Sequence, residues 1–421
     1  MGYLHRFPGA KDRCLKRLAL ACLVALAPFF YLSYGFANWV TGLRAPVPSL
    51  VFSWEHRIPF LAWTIVPYWS TDLFYSVALF LCATRAELWT LGKQLVTVQV
   101  ICVAGFLLFP LQLSLDRPPV SGLWGRMFDA LMGFDKPFNE APSLHVALTA
   151  VLWVAFGRHF HGWVLWLIRG WFVLMGLSTL TTYQHQFIDV PTGLWVGLLA
   201  LALFPYNTRQ ARFEPSRDPI RFWLAAAYLV SAAVCGFLAW WIGGMGWFLL
   251  WPAGALGFVS AIYWTGRSEL FGNASRWMLA PYLAGAWLNS RWHTRSQEPK
   301  QEIAGGVWLG RIPTRAELQA SGIASVVDLA PEFSFSEPDV VYRSVPMLDL
   351  LTPSADQLAA AVNAIEELDS ARPTLVFCAL GYSRSARAVA AWLVVSRRAQ
   401  SFDDAVEYIR ERRPYIVLAS R

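Results

Sequence analysis

The sequence predicts an all-α polytopic bundle of membrane-spanning helices, with about eight spans, followed by a small α/β domain. Of the 421 residues, 56% are hydrophobic and only 15% are charged, which is too apolar for an ordinary soluble protein. Apolar runs of about 20 residues, the length that crosses a bilayer as a helix, recur up to about residue 265. Beyond Lys300, short β-branched runs alternate with helical patterns, which is typical of an α/β domain.

Eight apolar runs are expected to span the membrane, at about 18–40, 60–83, 93–113, 143–157, 162–181, 187–205, 222–242 and 246–265. The first run lacks a small-residue cleavage site, so we expect a retained span rather than a signal peptide. Lys and Arg concentrate in alternate gaps, notably at Arg85, at Arg158 and at 206–221. This bias predicts both termini in the cytoplasm, in a multi-pass protein of the plasma (inner) membrane.

The chain divides into three predicted regions: a membrane domain at 1–205 with its core at about 50–205, two further spans with an interfacial linker at 206–300, and the α/β domain at 301–421. The linker is amphipathic and rich in Trp and Arg, which suits a helix lying at the membrane surface. In the last region we expect strands at 307–309, 325–329, 340–345 and 374–378, and helices at 313–321, 355–368, 385–398 and 402–413.

The charged and cysteine residues exclude several classes of function. The net charge of +7 fits the basic cytoplasmic loops of a membrane protein, so no nucleic-acid partner is predicted. All but one of the 6 cysteines lie in or beside apolar runs without paired spacing, which predicts neither disulfides nor metal ligands. Neither candidate site below has clustered metal ligands, and we predict no metal and no other cofactor.

Two histidine-containing motifs lie where apolar runs meet polar sequence on the same predicted extracytoplasmic face. His185 precedes Asp189 by four residues, a helical spacing that would let the carboxylate hold one imidazole nitrogen and leave the other free as a nucleophile. His145 could protonate a leaving oxygen. Arg117 offers a guanidinium fork for phosphate, and the helix start at Ser143 offers N–H donors. Phosphoryl or phosphodiester transfer through a phosphohistidine fits these groups.

Over about residues 50–205, these motifs resemble the three signature motifs of the type 2 phosphatidic acid phosphatase superfamily. The resemblance implies that His185 is the nucleophile, Asp189 its partner and His145 the acid. It also implies that Arg117 and Ser143 bind phosphate.

Three departures from the family pattern bear on the substrate. Pro110 stands where the family's phosphatases have Lys, Ser178-Thr179 where they have Ser-Arg, and Leu144 where they have Gly. Fewer cations suit a phosphodiester, which carries one negative charge, better than a dianionic monoester. The Pro-Ser-Leu-His form also resembles the inositol-phosphorylceramide synthase branch. Head-group transfer between lipids is therefore the first expectation, and lipid phosphatase activity the second.

A second motif lies in the predicted α/β domain, where the strand at 374–378 ends on Cys378 and Arg384 follows after five residues. Such a loop can wrap backbone N–H groups round a phosphate, with Gly381 permitting close approach. The same field favours the thiolate, Arg384 can hold two phosphate oxygens, and Ser385 can assist release of the thiolate.

This loop resembles that of the cysteine-dependent dual-specificity protein tyrosine phosphatases, and the resemblance extends over about residues 303–421. It implies that Asp349, which lies 29 residues before Cys378, is the general acid. Phe377 stands where that family usually has His, which implies reduced activity.

Together the motifs predict a bifunctional membrane enzyme: a histidine-type lipid phosphatase or head-group phosphotransferase facing outward, and a Cys-x5-Arg phosphatase in the cytoplasm. The expected partners are membrane lipids and a phosphorylated lipid or phosphoprotein substrate. An alternative is a catalytically dead membrane anchor or lipid sensor that carries an active protein phosphatase. A transporter is disfavoured, because Arg169 is nearly the only ionisable residue inside the spans. The head group, its acceptor, the cytoplasmic substrate and the oligomeric state stay open.

Overall fold

The computed structural model describes residues 8–44, 46–206, 219–272, 275–333, 340–369 and 373–418. The chain forms two compact units, Met1–Arg209 and Gln210–Arg421.

The described part of the first unit is helical. Its helices are α1 (Pro8–Gly42), α2 (Ile65–Leu81), α3 (Arg85–Leu108), α4 (Gly122–Phe134), α5 (Leu144–Gly157), α6 (Gly162–Thr181) and α7 (Asp189–Leu203). The second unit begins with three further helices, α8 (Pro219–Ile242), α9 (Leu250–Thr265) and α10 (Arg276–Thr294). Most of these helices carry large apolar side chains on their exposed faces, as expected where the surroundings are lipid.

Each of the eight predicted spans coincides with a helix, but they differ in length. Within the described residues, 5 helical segments are long and apolar enough to cross a membrane: Arg13–Gly42, Arg85–Leu108, Gly162–Thr181, Pro219–Ile242 and Gly244–Thr265. Helices α5 and α7 are apolar but shorter, and α2 has 17 residues. The helical character of the amino-terminal region is therefore confirmed, whereas the count of eight spans is not.

Small residues on α7 allow it to pack closely against α5. A side chain at Gly193 would overlap the backbone of Ser143, and one at Gly197 would lie 2.6 Å from the carbonyl oxygen of Ala147. Glycines four residues apart let two helix backbones approach in this way. The contact brings the starts of the two helices together, and the Ser143 amide donates to the Asp189 carbonyl over 3.0 Å.

The rest of the second unit is the predicted α/β domain. Its strands are β1 (Lys300–Ala304), β2 (Val307–Arg311), β3 (Ser325–Asp328), β4 (Val341–Ser344) and β5 (Thr374–Cys378). They form one sheet in the order β1-β2-β5-β3-β4, in which β1 is antiparallel to β2 and the other pairs are parallel. Its helices are α11 (Arg315–Gln319), α12 (Ala355–Asp369), α13 (Arg384–Val395) and α14 (Phe402–Arg412).

Strand β5 is the centre of this domain, and all its residues are buried. Its aliphatic side chains pack with those of α13, where Val389, Trp392 and Leu393 are fully buried. In a largely parallel sheet, the carboxyl ends of the central strands open towards one edge, where ligands bind. Cys378 occupies that end of β5, and α13 begins only six residues later.

Candidate active sites

The first site centres on His185, in the loop that joins α6 to α7. Its Nδ1 lies 3.2 Å from Oδ2 of Asp189, the first residue of α7. The same carboxylate oxygen accepts the Gln186 amide over 3.0 Å. The predicted pairing is therefore present, but not as two residues on one helix face: the loop folds back so that Asp189 holds both the imidazole and the loop's backbone. Nδ1 is engaged, which leaves Nε2 as the nitrogen able to attack.

Glu140, for which no role was predicted, is the third member of this cluster. Its Oε2 lies 3.6 Å from His185 Nδ1, and both side chains are buried. Burial alone lowers the pKa of His185, but the Asp189 and Glu140 carboxylates outweigh it and raise that pKa to about 10. Burial also raises the pKa of Glu140. The three groups therefore hold at least one proton between them at neutral pH.

The prediction that neither site has clustered metal ligands is wrong for this site. Glu140, His185 and Asp189 could hold a metal ion, because their ligand atoms lie within 4.8 Å of one another. Two carboxylates and one imidazole suit a divalent cation. Such an ion would occupy the side of His185 on which its Nδ1 proton otherwise lies. Glu140 stands two residues before the Pro142-Ser143-Leu144-His145 motif, and this proximity is the sequence signal that could have found it.

His145 and His185 line one cavity of about 310 Å³ in the first unit. His145 Nε2 lies 2.7 Å from the Tyr68 carbonyl oxygen and also contacts the Thr71 hydroxyl. Because a carbonyl oxygen only accepts, the imidazole carries its proton on Nε2. The ring stacks on Tyr68 with centroids 4.0 Å apart. Both histidines predicted to act together therefore face one space, as the proposed chemistry requires.

Arg117 and Ser143 lie beside this cavity's histidines without lining the cavity itself. The Arg117 guanidinium donates to the carbonyl oxygens of Thr182 and Tyr183, over 3.2 and 3.3 Å, just before His185. The Ser143 hydroxyl accepts the Val146 amide over 3.3 Å as the cap of α5. In this geometry both side chains form hydrogen bonds with the backbone next to the two histidines. Their role as phosphate ligands stays a prediction.

The second site is the loop after β5. Cys378 Sγ accepts the Gly381 amide over 3.2 Å and lies 3.2 Å from the Ser385 hydroxyl. Gly381 has φ +75°, and a side chain there would lie 2.5 Å from the backbone of Gly310. Only glycine therefore fits the turn. The loop wraps round the sulfur, and the Gly381 amide points at that atom.

Arg384 is buried and held by acids and by the backbone. Its Nη1 lies 3.0 Å from each carboxylate oxygen of Glu332 and 2.9 Å from the Met347 carbonyl oxygen, while Nη2 lies 3.1 Å from Asp349 Oδ1. Burial lowers the pKa of Arg384, but the two carboxylates outweigh it and raise that pKa. The Nε donor is buried without a hydrogen-bond partner in the described structure. An unpaired buried donor beside a cysteine loop is what a bound phosphate oxygen would satisfy.

Asp349 follows β4 and joins Arg384 at the open side of the loop, with about a third of its side chain exposed. The three residues implied by the resemblance, Cys378, Arg384 and Asp349, thus converge. Two further residues of this site were not predicted from the sequence motifs. Glu332 anchors Arg384, and Arg413 donates from Nε to the Gly381 carbonyl over 3.2 Å. Both come from segments distant in sequence, and neither stands in a recognisable motif.

The α/β domain is similar to known proteins. Residues 307–420 match the family described as dual specificity phosphatase, catalytic domain. The chain thus carries a phosphatase domain of the dual-specificity type. Among curated proteins, none matches the chain significantly.

Several solved structures are similar to the same region. Tk-PTP in its active form is 30% identical, with 88% of its chain and 29% of this one covered and a TM-score of 0.27. Human DUSP28 is 25% identical, with 84% and 28% covered and a TM-score of 0.26. PTPMT1 in complex with PI(5)P is 20% identical, with 88% and 29% covered and a TM-score of 0.26.

Proposed function

We propose that the chain is a bifunctional membrane enzyme that handles phosphate esters at two separate covalent sites. One site uses the Cys378 thiolate in the dual-specificity phosphatase domain. The other uses the His185 imidazole among the amino-terminal helices. The family match supports the phosphatase class of the first site. The shared cavity of His145 and His185 supports the second.

At the cysteine site, the thiolate attacks phosphorus and displaces the ester oxygen, which takes a proton from Asp349. Arg384 holds two phosphate oxygens through this step, with its unpaired Nε as one donor. Water then attacks the cysteinyl phosphate, and the sulfur leaves as a thiolate with the Ser385 hydroxyl beside it. The products are inorganic phosphate and an alcohol.

The substrate of this site is proposed to be a phosphorylated lipid, with a phosphoprotein as the competing class. The support is the exposed face of α10, where Trp277 and Trp292 are 73% and 65% exposed. Arg295 stacks on Trp292, with its guanidinium 4.1 Å from the ring centroid. Trp and Arg on one exposed helix are typical of a surface that lies among lipid head groups.

At the histidine site, His185 Nε2 attacks the phosphorus of a lipid ester while Asp189 and Glu140 hold Nδ1. His145, in its doubly protonated form, gives one proton to the leaving oxygen and returns to the neutral imidazole, whose Nε2 proton stays hydrogen-bonded to the Tyr68 carbonyl oxygen. The phosphohistidine is then resolved by a lipid hydroxyl, which completes head-group transfer, or by water, which completes hydrolysis. The positive-inside bias of the sequence supports an extracytoplasmic position for this site.

One observation favours the alternative that the amino-terminal helices are a non-catalytic anchor or lipid sensor. The described residues that line the cavity include Asp72 and Asp135 but no Lys or Arg. An acidic wall opposes binding of a dianionic phosphate. A phosphodiester, with a single negative charge, suffers less from it, which is why head-group transfer remains the preferred activity.

The test is lipid profiling of cells that express His185→Ala or Cys378→Ser. We expect each variant to accumulate a different phosphate-bearing lipid. His161→Ala and Cys235→Ser are matched controls, because His161 is exposed and Cys235 lies in α8. A normal profile for His185→Ala together with an altered one for Cys378→Ser would establish the anchor alternative. An unaltered lipid profile for Cys378→Ser, together with phosphoprotein hydrolysis that the wild type performs and Cys378→Ser loses, would redirect the cysteine site to proteins.

A further inference from the structure

The helices that precede the phosphatase domain reach its catalytic loops. The Ser290 hydroxyl of α10 donates to the carbonyl oxygen of Ala379, the residue after the cysteine. The Tyr382 hydroxyl, in the same loop, donates to the carbonyl oxygen of His293 over 2.9 Å. A family domain that begins at residue 307 therefore has neighbours outside its own boundaries.

A third contact joins α9 to Asp349, the proposed general acid. The hydroxyl of Tyr263, on α9, donates to the Asp349 carbonyl oxygen over 3.2 Å. Tyr263 is only 1% exposed, and its ring packs against that of Tyr228 with centroids 5.4 Å apart. Packing of α9 against α8 therefore fixes the position of this hydroxyl beside the acid's backbone.

The peptide that Tyr263 holds needs an external partner. It joins Asp349 to Leu350. Leu350 has φ +60°, in the left-handed region that residues other than Gly and Asn rarely adopt. The Leu350 side chain is 67% exposed and so gives this turn little packing support. Backbone in that conformation persists where surrounding contacts fix it, and the Tyr263 hydroxyl is such a contact.

We infer that Tyr263 is a positioning residue for Asp349. This tyrosine lies on α9, outside the family domain, and holds the general acid of the cysteine site in position. The inference rests on the proposed roles of Cys378 and Asp349. Tyr263 acts through the acid's backbone and touches no reacting atom. Loss of its hydroxyl should therefore affect proton delivery to the leaving group rather than attack by the thiolate.

The leaving group gives a selective readout. Phenyl phosphate releases a basic oxygen that needs a proton, whereas p-nitrophenyl phosphate releases an oxygen that leaves readily without one. In the purified full-length protein, we expect Tyr263→Phe to lower kcat for phenyl phosphate about 10-fold, part of the roughly 100-fold that a general acid supplies. The kcat for p-nitrophenyl phosphate should change by less than about 2-fold, because that reaction depends little on the acid.

Tyr408→Phe is the matched control, since the Tyr408 hydroxyl donates to the Ile303 carbonyl oxygen over 3.4 Å, on the edge strand β1 at the opposite side of the sheet from β4. It should leave both rates unchanged. In an Asp349→Asn background, Tyr263→Phe should have no further effect, because the residue it positions no longer donates. Equal losses on both substrates, or additive losses with Asp349→Asn, would overturn the inference while leaving the cysteine mechanism intact. Turnover that survives Cys378→Ser would overturn the proposed mechanism itself, and the inference with it.

Discussion

Arg384 and Glu332 form a buried ion pair, with Nη1 of the arginine 3.0 Å from each carboxylate oxygen. The side chains are 1% and 4% exposed. This pairing fixes the guanidinium beside Cys378 before any substrate arrives, so its donors need not be reorganised when phosphate binds. The precision of the cysteine site therefore depends on an acid that the motif itself does not contain.

Removing that acid should damage both stability and turnover. We expect Glu332→Ala to lower the free energy of unfolding of the domain by about 3 kcal/mol, because it leaves a buried guanidinium with less compensation. It should also lower kcat/KM by at least about 10-fold. Glu367→Ala, which breaks the exposed pair with Arg343, is the control and should change neither. Wild-type behaviour of Glu332→Ala in thermal unfolding and phosphatase assays would refute the positioning role.

The glycine turn of the cysteine loop gives a second prediction. Gly381→Ala should lower kcat/KM by about 100-fold, since the new methyl group would force the loop away from Gly310 and disturb the N–H donor to Cys378. Gly285→Ala, in α10 with nothing within 4 Å of the added carbon, should behave as wild type. Steady-state phosphatase kinetics of the two variants check this, and equal activities would show that the loop tolerates a side chain.

A buried carboxyl in the same domain should make its stability depend on pH. Burial raises the pKa of Asp328 to about 7 from an ordinary value of 3.8, although the carboxylate accepts from Ala330 and Tyr342. Between pH 4 and 7 the folded domain thus binds a proton that the unfolded chain has released, so stability falls as pH rises through this window.

Asp328→Asn removes that titration and should flatten this part of the profile. The temperature of half-inactivation of phosphatase activity, measured after heating at several pH values, reports it. We expect the half-inactivation temperature of the variant to increase relative to that of the wild type as the pH of heating rises from 5 to 8. A constant difference between the two proteins would mean that Asp328 titrates in its ordinary range.

Activity at the histidine site should increase with pH, whereas the stability of the phosphatase domain should decrease. Because Asp189 and Glu140 raise the pKa of His185 to about 10 against the effect of burial, its neutral, nucleophilic form becomes more populated as pH increases. We expect lipid turnover at this site to rise between pH 7 and 10. Glu140→Gln removes one of the two charges and should move that rise to lower pH. Turnover that falls over the same range, or a profile unmoved by Glu140→Gln, would exclude this role for the carboxylates.

The residues that the sequence located are those whose chemistry lies in short motifs. Cys378 and Arg384 are six positions apart on one strand-loop-helix, and His185 and Asp189 are four apart, so local geometry determines both pairs. Glu332 and Glu140 complete the same sites from distant segments. Their positions depend on tertiary packing, which no spacing within one motif encodes.

Two elements were also missed for physical reasons. Strand β1 reads Lys-Gln-Glu-Ile-Ala and lies at the edge of the sheet, where one buried residue, Ile303, is enough to fix it. Helix α4 lies between the predicted spans at 93–113 and 143–157, where no helix was predicted. It forms because Phe128 packs against Ile65 and Tyr68. In both cases tertiary contacts outweigh a weak local pattern.

Phosphate should become covalently attached to two residues of one chain, and rapid-quench mass spectrometry can detect both adducts. After brief turnover with phosphorylated lipid, an acid quench should preserve a phosphate on Cys378 and an alkaline quench a phosphoryl adduct on His185. Cys378→Ser should abolish only the first, and His185→Ala only the second. Peptides covering both residues that stay unmodified while lipid is turned over would contradict the account.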